Sequence, residues 1–383
     1  MNDRKYLLDT IKALNNLKQQ LKSTHEKILE KAFITADSDA DVYYVLQNYT
    51  KSDLNIIRKC LGVSCVSTLR KPELASALRT HIINSLNSLL CRLTENEYKL
   101  IKCIVNSDGI MPFRDKYSDL TLYLRKLGIV SLVIMDENKF IMIPKDILQR
   151  LKYLVNSIEV YKQIKFNENI NQLLRGMLYY YGVLDFTTAY KLISTYLDEF
   201  TGDMFDIISI IYENYWKDYG IFICNDHLCY DYVDNYHYIV EQQSLRKNIE
   251  YKFFTKDELI RAAKDNSLCF NEYDNNFISY LISNYVINKK EAEQITWEIK
   301  LDIKNCYDFN EILHETTDCF TISDYEQLKE LVALINDVYY NCNQWILKGF
   351  SSNELNKIDI NNPISQKNKY KKYNSSFLKN YLD

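Results

Sequence analysis

Only 8 glycines and 4 prolines punctuate 383 residues, of which 47% are apolar. A sandwich of short strands needs a turn about every ten residues, built largely from Gly and Pro. This chain is too poor in both, so the expectation is a mainly α-helical protein. Its length argues for several modules rather than one core. Lys and Arg total 47 against 51 Asp and Glu, a net charge of −4. Near-balance excludes disorder driven by self-repulsion, and it excludes a uniformly basic nucleic-acid coat. The 32 tyrosines accompany abundant Asn, Ile and Lys, a joint bias read as AT-rich codon usage.

The first residues, MNDRKYLLDTIKALNNL, are polar and amphipathic, without the apolar segment and small-residue cleavage site of a secretory leader. No run of about 18 apolar residues occurs, so no membrane contact is expected. Ten cysteines are scattered without a framework, as reduced, buried residues of a cytoplasmic protein would be.

Periodicity divides the chain into six parts. Residues 1–44 hold Leu7, Leu8, Ile11, Leu14, Leu17, Leu21 and Ile28 at helical spacing, an amphipathic leader helix. Residues 45–92 read as helix, extended connector, helix. The first helix runs from Ser52 to Leu61 and stops at Gly62; the second starts at Lys71-Pro72, where proline's missing N–H costs nothing. Residues 93–155 open on a capping box, Thr94 to Glu97, and carry a hairpin turning at Asp136-Glu137-Asn138. Helices followed by a hairpin suggest a winged-helix-like unit. The pattern returns over 156–250, with helices at 168–181, 188–197 and 203–216 and a hairpin turning at Asn225-Asp226. Residues 251–350 are helical, with capping boxes at Thr255/Glu258 and Ser323/Glu326. Residues 351–383 form a polar tail with six Lys against two Asp and one Glu.

Between Lys51 and Arg92 there are seven basic and two acidic residues. Removing this excess of five and the tail's three from the total leaves −12 elsewhere. Lys51, Arg58, Lys59, Arg70, Lys71 and Arg79 are therefore the candidate phosphate contacts, with Lys367, Lys369, Lys371 and Lys372 as tail contacts. RNA or DNA is the partner expected at residues 45–92. The helix expected at 203–216 carries Asp203, Asp206 and Glu213 and no Lys or Arg. A groove-reading helix would meet phosphates and should be neutral or basic, so a protein partner is expected through residues 156–250. The sequence leaves the oligomeric state open.

The segment Asp53-Leu54-x-x-Ile57-x-x-x-Leu61-Gly62-Val63, followed by Leu69-Arg70-Lys71-x-Glu73-Leu74, resembles the Rho termination factor N-terminal domain, a helix–extended–helix module of SAP-like shape. That resemblance implies association with nucleic acid and a link to transcription or its termination. Over residues 50–373 the order of segments also resembles bacterial cytoplasmic proteins that end in a SEC-C zinc motif. LRGMLYYYGVLDFTTAYKLI, FTKDELIRAAKDN and NQWILKGFSSNEL carry the likeness. In those proteins cysteines of the tail bind zinc. Here Asn362-Pro363 and Lys369-Tyr370-Lys371-Lys372 match the ends of that motif, but no Cys or His follows Cys342. A closed zinc site needs four such ligands, so this tail cannot build one alone.

Chemistry is otherwise sparse. Cys224, His227 and Cys229, with His237 nearby, invite a metal reading, yet Asn225-Asp226 puts them on the two strands of a hairpin. Cys60 and Cys65 fall in the first helix and connector of residues 45–92. No Gly-rich phosphate loop, H-E-x-x-H or G-x-S-x-G occurs. His25, His81 and His314 stand alone in polar helical contexts, and Asp203/Asp206 suit a solvated helix face. The expectation is a non-enzyme with no metal and no cofactor; the alternative to nucleic-acid binding is a protein-interaction scaffold.

Overall fold

A computed structural model describes residues 23–66, 68–197, 204–215, 221–264 and 269–360. The expected leader stripe up to Leu21, Asp203 and the four tail lysines lie outside these residues. The chain divides into two compact units, Met1–Asn169 and Ile170–Asp383. Helices dominate the described residues and strands are confined to two small sheets, so the fold is mainly α. Among the described residues no helix is long and apolar enough to cross a membrane.

The first unit begins with helix α1 over 23–32 and strand β1 (Phe33–Thr35). Ile28, expected on the apolar stripe, is exposed; its neighbour Leu29 meets the core instead. Helices α2 (Val42–Asn48), α3 (Lys51–Cys60) and α4 (Lys71–Cys91) follow. Leu74, Leu78, Ile82, Leu86 and Leu90 repeat every four residues along α4 and are buried. This stripe joins Leu46 of α2, Leu54 and Ile57 of α3, and Leu132 and Ile141 of the sheet in one continuous core. Residues 45–92 thus share their core with residues 93–155.

Next come α5 (Glu95–Asn106), β2 (Ile110–Pro112), a 3-10 turn at Asp115–Tyr117, α6 (Ser118–Lys126), β3 (Ser131–Met135) and β4 (Asn138–Met142). The α5 capping box forms as its sequence indicates: Thr94 N donates to Glu97 Oε2 (2.7 Å) and Glu97 N to Thr94 Oγ1 (3.3 Å). The sheet order is β1-β3-β4-β2, with β1 parallel to β3 and the other pairs antiparallel. Asp136 and Glu137 both take positive φ, as a two-residue hairpin turn requires. Helix α7 (Lys145–Leu154) and the first half of α8 (Ile158–Tyr181) complete the unit. The sequence places the start of α8 ten residues too late, because its polar first turns conceal the stripe of Val160 and Ile164.

The second unit repeats the order. After α8 come β5 (Val183–Asp185), α9 (Phe186–Ser194), α10 (Met204–Tyr215), β6 (Ile221–Cys224) and β7 (His227–Tyr230), in sheet order β5-β7-β6. In both units the strand after the first helix lies beside the last strand, which is the winged-helix pairing. Six helices follow: α11 (Tyr236–Leu245), α12 (Lys256–Ala262), α13 (Glu272–Asn284), α14 (Lys289–Asn305), α15 (Phe309–Asp318) and α16 (Tyr325–Asn341). Phe277, Leu281, Ile303, Leu313, Leu331 and Ile335 form a core among α13–α16. The cap of α16 is Asp324, one residue after the expected Ser323, because the shorter carboxylate reaches Gln327 N (2.9 Å). A 3-10 turn, Trp345–Leu347, and α17 (Ser352–Ile360) end the described chain.

Trp345 is fully buried, and its indole N–H donates to Tyr179 O at the end of α8 (3.1 Å). Gly182, at φ +72°, lies directly beneath it: a Cβ there would sit 2.5 Å from Trp345 Cγ. Gln243 of α11 closes the joint by donating to both Tyr181 O and Trp345 O (2.9 Å each). Four residues before Tyr180, a Cβ on Gly176 would fall 2.1 Å from Leu259 O, so α8 and α12 touch backbone to backbone. Trp345→Ala is expected to lose about 3–5 kcal/mol in urea unfolding. Gly182→Ala should lose about 2–4 kcal/mol from the positive φ and the clash together.

Beside this joint lies Lys304, fully buried, with its ammonium 5.0 Å from the Tyr179 ring, 5.6 Å from the Trp345 ring and 3.3 Å from Tyr179 O. Burial depresses its pKa to about 8. The neighbouring Lys300 is matched by buried Asp274 in a direct ion pair. Between pH 8 and the ordinary lysine range the unfolded chain holds a proton that the folded chain has lost, so stability rises with pH there. Relative to Lys304→Met, the native chain should gain about 2 kcal/mol between roughly pH 7 and 9.5, measured by urea unfolding at each pH.

Candidate nucleic-acid interface

The six expected cations divide into two groups. Helix α3 is set by a reciprocal cap: Thr50 N donates to Asp53 Oδ2 (3.1 Å), and Asp53 N to Thr50 Oγ1 (3.1 Å). Leu54 and Ile57 face inward, which leaves Lys51 and Lys59 exposed at the two ends of the helix. Arg58 turns back instead, and its Nη1 donates to Val63 O (3.1 Å), fastening the turn at Gly62. Arg70 and Lys71 stand at the start of α4, where Arg70 N donates to Glu73 Oε2 (2.9 Å). Arg79, two turns further, is engaged internally: its Nε and Nη2 each lie 3.1 Å from Asp146 Oδ2 of α7. Asp146 Oδ1 also accepts Val42 N (3.0 Å), so this carboxylate ties α2, α4 and α7.

Lys51, Lys59, Arg70 and Lys71 make no ion pair with a side chain among the described residues. Arg58 and Arg79 hold the unit together. Lys367, Lys369, Lys371 and Lys372 lie outside the described residues.

Sequence reasoning missed Arg125. It is 7% exposed, its guanidinium stacks 3.9 Å over the Tyr49 ring, and its Nη1 lies 3.6 Å from Asp53 Oδ1. Partial burial pushes the Asp53 carboxyl up, but the Thr50 hydroxyl and Arg125 outweigh it and hold the group below the usual range. The one acidic side chain of α3 is thereby compensated from behind. Lys126, next in sequence and exposed, stands close enough to Cys60 for its charge to favour the thiolate, although burial raises that thiol overall. A basic dipeptide at the end of a helix distant in sequence gives no pattern that would locate either residue beside α3.

Elsewhere, Cys224 lies opposite His227 across β6 and β7, while Cys229 is opposite Phe222. His227 Nδ1 is 2.8 Å from Asp226 Oδ1, and burial followed by Cys224 drives the Cys229 thiol up to about 12. Among the described residues no group of three or more His, Cys, Asp or Glu is arranged to hold a metal ion. Cys65 stands exposed in the α3–α4 connector with φ +62°. His25 and His314 face Asp119 (3.6 Å) and Asp318 (2.9 Å). Of the expected third helix of the second unit, Met204–Tyr215 is described; Tyr212 is exposed and stacks on Phe186 of α9 at 5.6 Å.

Comparison with protein-family models, curated proteins and solved structures finds no match to this chain.

The division of cations has a measurable consequence. Arg79→Ala should cost about 1 kcal/mol, because the pair with Asp146 is partly solvent-screened. A double-mutant cycle with Asp146→Ala should give a coupling of about 0.5–1 kcal/mol in urea unfolding.

Proposed function

We propose that this protein is a non-catalytic, nucleic-acid-associated accessory protein that grips the phosphate backbone of RNA or DNA through residues 45–92. The observation that carries the reading is the set of four cations, Lys51, Lys59, Arg70 and Lys71, at the ends of two helices with no side-chain ion pairs among the described residues. Such contacts give affinity that falls with salt and reads little sequence. The resemblance of residues 53–74 to the Rho termination factor N-terminal module supports it, and suggests a place in transcription or its termination. The lysines at 367, 369, 371 and 372 would add phosphate contacts from the other end of the chain.

A second reading is a protein-interaction scaffold, with the partner bound through residues 156–250. It is favoured by α10, which has no Lys or Arg and carries an exposed tyrosine. Pull-down from lysate with and without nuclease separates direct protein partners from those bridged by nucleic acid.

Fluorescence anisotropy of the full chain with labelled RNA and DNA oligonucleotides, across low to moderate salt, tests the first reading. The expected result is salt-dependent binding, with the slope of log K against log salt smaller by about three to four in a Lys51→Gln, Lys59→Gln, Arg70→Gln, Lys71→Gln variant. Absence of binding to either nucleic acid at low salt would remove this function.

A further inference from the structure

We propose that α3 is a groove-reading helix, and that its outer face enters the major groove of duplex DNA. This rests on the nucleic-acid reading above and names its substrate class. The inward face of α3 is fixed by Leu54 and Ile57, so Lys51, Ser52, Asn55, Ile56 and Lys59 are left along the opposite side at helical spacing. That side has a composition a merely solvated face does not require. It holds a cation at each end, an amide and a hydroxyl between them, and an isoleucine that is 42% exposed. It holds no acidic group, because Asp53 is turned into its own cap and toward Arg125. Ten residues of helix span about 15 Å, comparable with the width of the B-form major groove.

The division of labour follows from these positions. Lys51 and Lys59 lie about 12 Å apart along the axis by helical rise, and reach phosphates on the two walls of the groove. Asn55 presents the donor and acceptor pair that matches adenine, while Ile56 presents an apolar surface to thymine methyl groups. Arg70 and Lys71, at the start of the next helix, add phosphate contacts outside the groove. The major groove of A-form RNA is too deep and narrow for such a helix, and α3 has no aromatic side chain on which single-stranded bases would stack.

The usual readers of the winged-helix arrangement are poorly suited to the task. The wing of the first unit turns at Asp136-Glu137 and that of the second at Asn225-Asp226, while α10 has no cation. A helix outside the winged-helix order, α3, carries the cationic face instead.

The test is an anisotropy titration of the full chain with a short labelled DNA duplex, an RNA duplex of the same sequence and the separate single strands. The duplex is drawn from a randomised pool enriched on the native protein. DNA duplex should bind about tenfold more tightly than either RNA duplex or single strands. Asn55→Ala with Ile56→Ala should weaken the enriched duplex about tenfold while leaving a scrambled duplex unchanged. Both positions are solvent-facing, and an unchanged melting temperature by circular dichroism verifies that the variant is folded. Equal or tighter binding to RNA or single strands, or a double variant with undiminished preference, overturns the groove assignment and leaves the phosphate-binding function standing. No binding to any of the four probes overturns both.

Discussion

The insertion of Trp345 against the end of α8 is the contact on which the second unit depends. One carbonyl, Tyr179 O, accepts from the indole and from Lys304. The indole itself occupies the space left by the missing side chain of Gly182. Because β5 starts at Val183, the same joint fixes where the first strand of the sheet begins, and β7 pairs with it from Val183 to Asp185. An aromatic side chain placed here cannot shift without uncovering a buried carbonyl and a buried ammonium together, which makes the joint a cooperative constraint rather than one contact among many. The two segments YYYG and QWILKGF, far apart in sequence, are the two halves of this joint.

The first unit is held by a different device. Arginines bind its elements, and each does so through a partner that has a second duty. Asp146 receives Arg79 and caps α2; Asp53 caps α3 and faces Arg125; the carbonyl of Val63 receives Arg58 just past the helix end. Guanidinium suits this work because its fixed fork meets planar acceptors, whereas the compact lysine ammonium stays hydrated at the surface. The outcome is a partition by residue type around α3: Arg58, Arg79 and Arg125 turn inward, and Lys51 and Lys59 face water.

That partition explains what was legible from the sequence. Helix ends with chemical markers were placed well: Gly62 after α3, Pro72 in the first turn of α4, and the boxes at Thr94/Glu97 and Thr255/Glu258. Both hairpins were legible from their turn residues. The strands β1, β2 and β5 were not, since three residues are too few to display an alternating pattern and each is defined by its partner in the sheet. The same limit applied to the cations. A count of basic residues over 45–92 located the patch, but the inward Arg79 and the outward Lys71 look alike until Asp146, 67 residues beyond Arg79, is seen to face one of them.

Fold and charge point in different directions, and the disagreement narrows the function. Two winged-helix pairings in one chain would ordinarily direct attention to the third helix and the wing of each. Those positions carry acids or neutral residues here, and a polyanion approaching them would meet repulsion rather than capture. A shared topology reflects how three helices cover a three-stranded sheet, a packing solution that says nothing about the outer surface. The outer surface is set by residues that the core does not constrain, and around α3 those residues are basic. With Asp53 compensated by a buried arginine rather than by a surface lysine, the cations of that face remain available to an external anion instead of being spent on an internal one.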